Sequence, residues 1–68
     1  MTDIHFIVQE AVEGGHLARG VGVDIVTEAD DLPALRIQIR DSVHCHFGDS
    51  DRPALIRLHI SRQEVIAT

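Results

Sequence analysis

Histidine and cysteine have the widest chemical range of the residue types here, and the chain has five of the first and one of the second. His44, Cys45 and His46 stand side by side. In a helix, residues two apart diverge by about 200°, so His44 and His46 cannot share one metal ion. His46 falls within an apolar stripe and is expected to be a hydrogen-bonded, partly buried histidine. Cys45 points away from both and reads as a small packed hydrophobe. His5 and His59 form the better pair. They share one sheet face if the first and last strands are neighbours, and then lie within reach of a transition metal. Two histidines without a third ligand do not make a site, so no metal and no cofactor is expected. The ordinary reading is half-exposed strand residues at a subunit interface, where histidines make association sensitive to pH.

Catalytic arrangements are harder to find. A nuclease of the RNase H type holds Mg²⁺ with a carboxylate in the middle of its first strand. Here those positions are His5, Phe6, Ile7 and Val8, with Asp3 and Glu10 only at the ends. Ser42 and Cys45 lie on a helix with no recognisable base beside them. Gly20-x-Gly22 is a strand feature, because no helix follows it to hold a phosphate. The chain is not expected to be an enzyme, and its catalytic and cofactor-binding sets are empty.

The elements that position these residues follow from periodicity. Ile4, Phe6 and Val8 alternate with His5, Ile7 and Gln9, which predicts a first strand over Asp3 to Ala11. Glu13-Gly14-Gly15 supplies the positive φ angles of a tight hairpin. Leu17, Arg19 and Val21 alternate with Ala18, Gly20 and Gly22 along a second strand, the glycines suggesting a bulge or close backbone approach. A third strand is predicted over Val23 to Thr27, directly after it.

One helix comes next, capped by Asp30 or Asp31, with Pro33 in its first turn. Leu32, Leu35, Ile39, Val43 and Phe47 form its apolar stripe, and Gly48 stops it. In the last strand Ala54, Ile56, Leu58 and Ile60 share one face, and Leu55, Arg57 and His59 the other. Glu64 to Ala67 read as a short extra strand or a tail that crosses to a neighbour. The predicted class is α+β, in the order β-β-β-α-β, with the helix on one face of a single sheet. The other face, with His5, Ile7, Leu55, Arg57 and His59, is left bare and suits a partner.

Size and charge narrow the function. Sixty-eight residues make a single domain, expected over 1–68, near the lower limit for an independent core. One cysteine permits no disulfide framework. Burial against a second copy, as a homodimer or higher oligomer, is the expected remedy. Eleven acidic residues oppose six arginines, for a net charge of −5. That disfavours nucleic-acid phosphates and suits a basic protein partner. Met1-Thr2-Asp3 is acidic and the run Ile4 to Val8 is too short for a signal peptide or a membrane span, so a cytoplasmic location is expected.

Several of these residues together resemble the HicB antitoxins, the partial RNase H-like modules of HicA–HicB toxin–antitoxin pairs. They are Phe6-Ile7-Val8-Gln9-Glu10, the Glu13-Gly14-Gly15 turn, Ala18, the run Thr27-Glu28-Ala29-Asp30, and a helix with Leu35, Ile39 and Val43 inward. The resemblance spans roughly residues 3 to 60 and is strongest to small stand-alone HicB-like proteins. Two features of typical HicB antitoxins are missing. No C-terminal DNA-binding segment is expected, and Gly22-Val23-Asp24-Ile25 stands where a proline-containing segment is common. The resemblance implies a non-catalytic antitoxin that sequesters a small basic HicA-like toxin, with no direct DNA binding and no membrane. Ile7, Leu55 and Arg57 on the bare face and Ile37 on the helix are the expected partner or oligomer contacts. The alternative is a stand-alone oligomer that binds a small ligand or metal through His5 and His59.

Overall fold

A computed structural model describes residues 3–11, 14–48, 51–61 and 66–67. Its elements run β1 (Asp3–Glu10), β2 (His16–Gly20), β3 (Val26–Ala29), α1 (Leu32–Phe47) and β4 (Leu55–Ser61). The four strands make one mixed sheet in the order β3-β2-β1-β4. β1 is antiparallel to β2, β2 is antiparallel to β3, and β1 is parallel to β4. The fold is therefore the expected α+β arrangement of one sheet and one helix.

The register sorts the side chains. Phe6 faces Gly20 and Leu58, and Val8 faces Ala18 and Ile60. These residues lie on the helix side, where Ile4, Phe6, Val8, Ala18 and Ile25 bury against Leu35, Ile39 and Val43. Fully burying side chains of this size contributes roughly 1.5–3 kcal/mol each. α1 runs closest to β3 and β2. A hollow of about 330 Å³ lined by Ile39, Ile56 and Leu58 separates it from β4. The expected apolar face of the last strand is thus only partly covered: Ile56 and Leu58 are half-buried and Ile60 is 50% exposed.

The glycine turn works as expected where it is described. Gly14 and Gly15 have φ of 95° and 86°, a region open to glycine at little steric cost. Ala11 N–H donates to Gly15 O at 3.0 Å, and Gly14 N–H to Ala11 O at 3.1 Å. Glu13 lies outside the described residues, as do Glu64 and Val65 of the suggested extra strand.

The third strand begins later than predicted, at Val26 rather than Val23. β2 stops at Gly20, whose N–H donates to Ile25 O at 2.8 Å. Residues 21–25 are spent on that corner, and pairing resumes with Arg19 opposite Val26. Val23 and Ile25 still reach the core from the corner, which is why their apolar pattern resembles a strand.

Asp31 is the helix cap. Its backbone is extended (φ −140°, ψ 169°), and its carboxylate accepts from Ala34 N–H at 2.8 Å. Asp31→Ala is expected to cost about 1 kcal/mol. In a domain this size that lowers Tm by roughly 4–8 °C, while Asp31→Asn keeps most of it. An unchanged melting curve for Asp31→Ala would show that the cap contributes nothing. At the other end, Gly48 N–H donates to His44 O at 3.1 Å and closes the last turn.

Two expectations for that turn are corrected. His46 is exposed, not partly buried. Val43 and Phe47 occupy its core positions, and His46 is left at the flank with its ring edge-on to Phe47, centroids 4.8 Å apart. Cys45 is an exposed free thiol rather than a packed hydrophobe. It stands about 200° around the helix from Val43, which turns it off the core.

Candidate functional site

The sheet face opposite α1 gathers most of the residues singled out in the sequence. Because β1 and β4 are parallel and in register, Asp3 pairs with Leu55, His5 with Arg57, and Ile7 with His59. Paired residues share a face of a sheet. Across β1, Ile7 also pairs with Arg19, which in turn pairs with Val26. The result is a bare surface of aliphatic groups set among charges of both signs. Ile7, Val26 and Leu55 are 44, 58 and 55% exposed.

At its centre the side chains form a connected chain of polar contacts. Arg57 Nε donates to Asp3 Oδ2 at 3.0 Å. The same oxygen lies 3.5 Å from His5 Nε2. On the other side of that ring, His5 Nδ1 meets His59 Nε2 at 2.9 Å. The two imidazoles lie nearly end to end, with centroids 5.1 Å apart and an interplanar angle of 20°. The Asp3 and Arg57 side chains are 35 and 56% exposed, so water screens the pair and it adds about 0–1 kcal/mol. Its effect is orientation. The carboxylate favours a proton on His5 Nε2, which leaves Nδ1 as the lone pair that accepts from His59 Nε2–H.

The structure brings His5, Ile7, Leu55, Arg57 and His59 onto one surface, as the alternation predicts. Ile37 is separate. It is 63% exposed on the outer side of α1, with the helix and the sheet between it and the rest. Asp3 is the member that sequence reasoning passed over, having weighed it only as a magnesium ligand. The signal was present in two tripeptides, Asp3-x-His5 and Arg57-x-His59, each of which puts its polar ends on one face of a strand. Among the described residues, no three metal-ligating side chains converge.

A second polar feature sits at the far end of the sheet. A hollow of about 600 Å³ lies between the glycine turn and the start of α1, lined among others by Gly15, His16, Glu28, Asp31 and Gln38. His16 Nδ1 is buried there with no hydrogen-bond partner. Its neighbour Asp31 is already engaged as the helix cap.

Fold and site together define a small α+β domain whose sheet is covered on one side and bare on the other. The chain is 40% identical over 50 residues to a UPF0150 protein of Archaeoglobus fulgidus, with 74% of each chain covered. It belongs to the UPF0150 family. No family model matches the chain. No solved structure matches it. Among the described residues, no helix is long and apolar enough to cross a membrane.

Proposed function

We propose that the chain is a non-catalytic protein-binding module of HicB type, an antitoxin that neutralises a small basic RNA-cleaving toxin in the cytoplasm. The observation that carries this reading is the bare sheet face. Ile7, Val26 and Leu55 stay 44–58% exposed there beside Asp3, Arg19, Arg57 and the two histidines. An exposed aliphatic surface interleaved with charge suits a protein partner. The net charge of −5 favours a basic one, because a protein that holds RNA phosphates must itself be positively charged. The same acidity argues against direct DNA binding. The middle of β1 carries no carboxylate, which argues against nuclease chemistry in the module itself. Self-association as a homodimer or higher oligomer belongs to the same reading, given the small core.

Co-expression with a short basic reading frame encoded beside the gene tests it. A stable complex and relief of the growth arrest caused by that neighbour are expected. Absence of both would end the antitoxin reading. Variants locate the contact. Ile7→Glu places a charge in the bare face and is expected to weaken the complex at least tenfold, whereas Ile37→Glu on the far side of α1 leaves it intact. The opposite pattern, read by binding titration, would move the interface to the helix.

A further inference from the structure

We propose that His5 and His59 are one half of a transition-metal site that two copies of the chain complete by meeting across the bare sheet face, with four imidazoles around one Zn²⁺-like ion. The inference goes beyond the toxin-binding reading and does not depend on it.

Three observations support it. The first is convergence: His5 Nδ1 and His59 Nε2 face each other at 2.9 Å from neighbouring strands in fixed register. Two nitrogens bound at about 2.0–2.1 Å to one tetrahedral ion lie about 3.3 Å apart. The rings meet almost head-on, so to share an ion they must separate by about 0.4 Å from their 2.9 Å contact and each tilt by about 35°, which their place on the open surface allows. The second is preparation of the ligand. Asp3 Oδ2 stands 3.5 Å behind His5, at Nε2. A carboxylate on the outer nitrogen selects the tautomer whose inner nitrogen is free to ligate, the usual support of a metal-binding histidine. Arg57 in turn holds that carboxylate, at 3.0 Å. On ligation the proton that His59 Nε2 lends to His5 Nδ1 passes to His59 Nδ1, so both rings bind as neutral imidazoles and no net proton is lost.

The third observation decides the occupant. No third ligand converges on the pair among the described residues, and Asp3 is turned to Nε2 and Arg57. An imidazole-binding ion of the zinc type takes four ligands in a closed site. A two-fold axis through the ion supplies the missing pair from the same surface of a second copy, because such an interface is self-complementary. Charge allows this contact. Asp3 and Arg57 neutralise each other beside the axis, so no like charges meet there. Ile7, paired with His59, and Leu55, paired with Asp3, lie along the flanks and meet their counterparts. Two chains of net charge −5 otherwise repel, which makes the association depend on the divalent cation.

The test is a Zn²⁺ titration of the tag-free chain, with heat and molecular mass both read. One ion per two chains and a doubling of mass, reversed by a chelator, are expected. Co²⁺ in place of Zn²⁺ should give the intense visible bands of tetrahedral nitrogen ligation, a readout that needs no variant. His5→Ala and His59→Ala should each lose the metal-dependent dimer with an unchanged circular dichroism spectrum. The double variant His44→Ala/His46→Ala should keep it. Asp3→Asn, a positioning change, should weaken metal affinity 10–100-fold while the tetrahedral Co²⁺ spectrum persists. One ion per chain with no change in mass would overturn the proposal. So would an octahedral Co²⁺ spectrum, a dimer that survives loss of either His5 or His59, or one abolished by loss of His44 and His46. No toxin is present in this experiment, so its failure leaves the antitoxin reading standing, and a failed co-expression leaves the metal site standing.

Discussion

Replacing Phe6 with alanine is expected to cost about 3–5 kcal/mol, a large part of the stability of a domain this size. Phe6 has no exposed surface and sits in the central strand between Gly20 on β2 and Leu58 on β4. Gly20 has no side chain with which to fill the space a missing ring would leave. The α1 residues that pack on this face, Leu35 and Ile39, are held by their own helix and cannot follow the ring inward. The whole domain has little in reserve: 68 residues correspond to roughly 3–10 kcal/mol of stability. Denaturant titration followed by far-ultraviolet circular dichroism reads the effect. A loss under about 1 kcal/mol would mean that the ring does not lie between sheet and helix. Phe6→Leu, which retains most of the apolar volume, should fall between the two.

Gly20→Ala is expected to destabilise by about 1–3 kcal/mol, for a different reason. A Cβ there would lie 2.5 Å from Val23 Cγ2 and 3.2 Å from Val23 O. The carbonyl belongs to the corner that Gly20 N–H pins through Ile25 O, so it has little room to retreat. Valine is stiff at χ1, so its methyl does not swing aside freely. Removing that methyl should relieve part of the clash. Gly20→Ala in a Val23→Ala background should therefore cost less than in the parent, with a coupling of about 0.5–3 kcal/mol. Strictly additive losses would place the strain in the backbone alone.

What the sequence reveals of this fold divides along a physical line. Features set by neighbouring residues are readable. The spacing of Leu35, Ile39 and Val43 gives the helix, Asp30 or Asp31 its start, Gly48 its end, and Gly14-Gly15 the hairpin. Features set by residues far apart are readable only in part. The alternation in Ile4 to Val8 and in Ile56 to His59 assigns each side chain to a face, but the offset between two parallel strands depends on the whole crossover. The Arg57–Asp3 contact, 54 positions apart, appears only once Asp3 is set opposite Leu55. The third strand starts later than its apolar pattern suggests because Val23 and Ile25 reach the core, and burial in a corner leaves the same apolar trace as burial in a strand. The exposure of His46 and Cys45 depends on where the helix axis lies over the sheet. Periodicity gives a side chain's direction around a helix; it does not say whether anything stands opposite.

The parallel pairing of β1 with β4 also bears on how the protein is made. β1 leaves the ribosome before β4 and can fold back on β2 within a few residues. Its other neighbour is β4, and the pairs Asp3 with Leu55 and Ile7 with His59 join segments about fifty positions apart. Ile56 and Leu58 complete the core's margin only when those late residues arrive. Contacts this distant close slowly, so until β4 arrives the nascent chain carries Ile4, Phe6 and Val8 on a hairpin open along one edge. An unpaired apolar edge of that kind is where chains associate wrongly and where chaperones bind. The contact that makes this sheet mixed is therefore also what makes the newborn chain dependent on the arrival of β4.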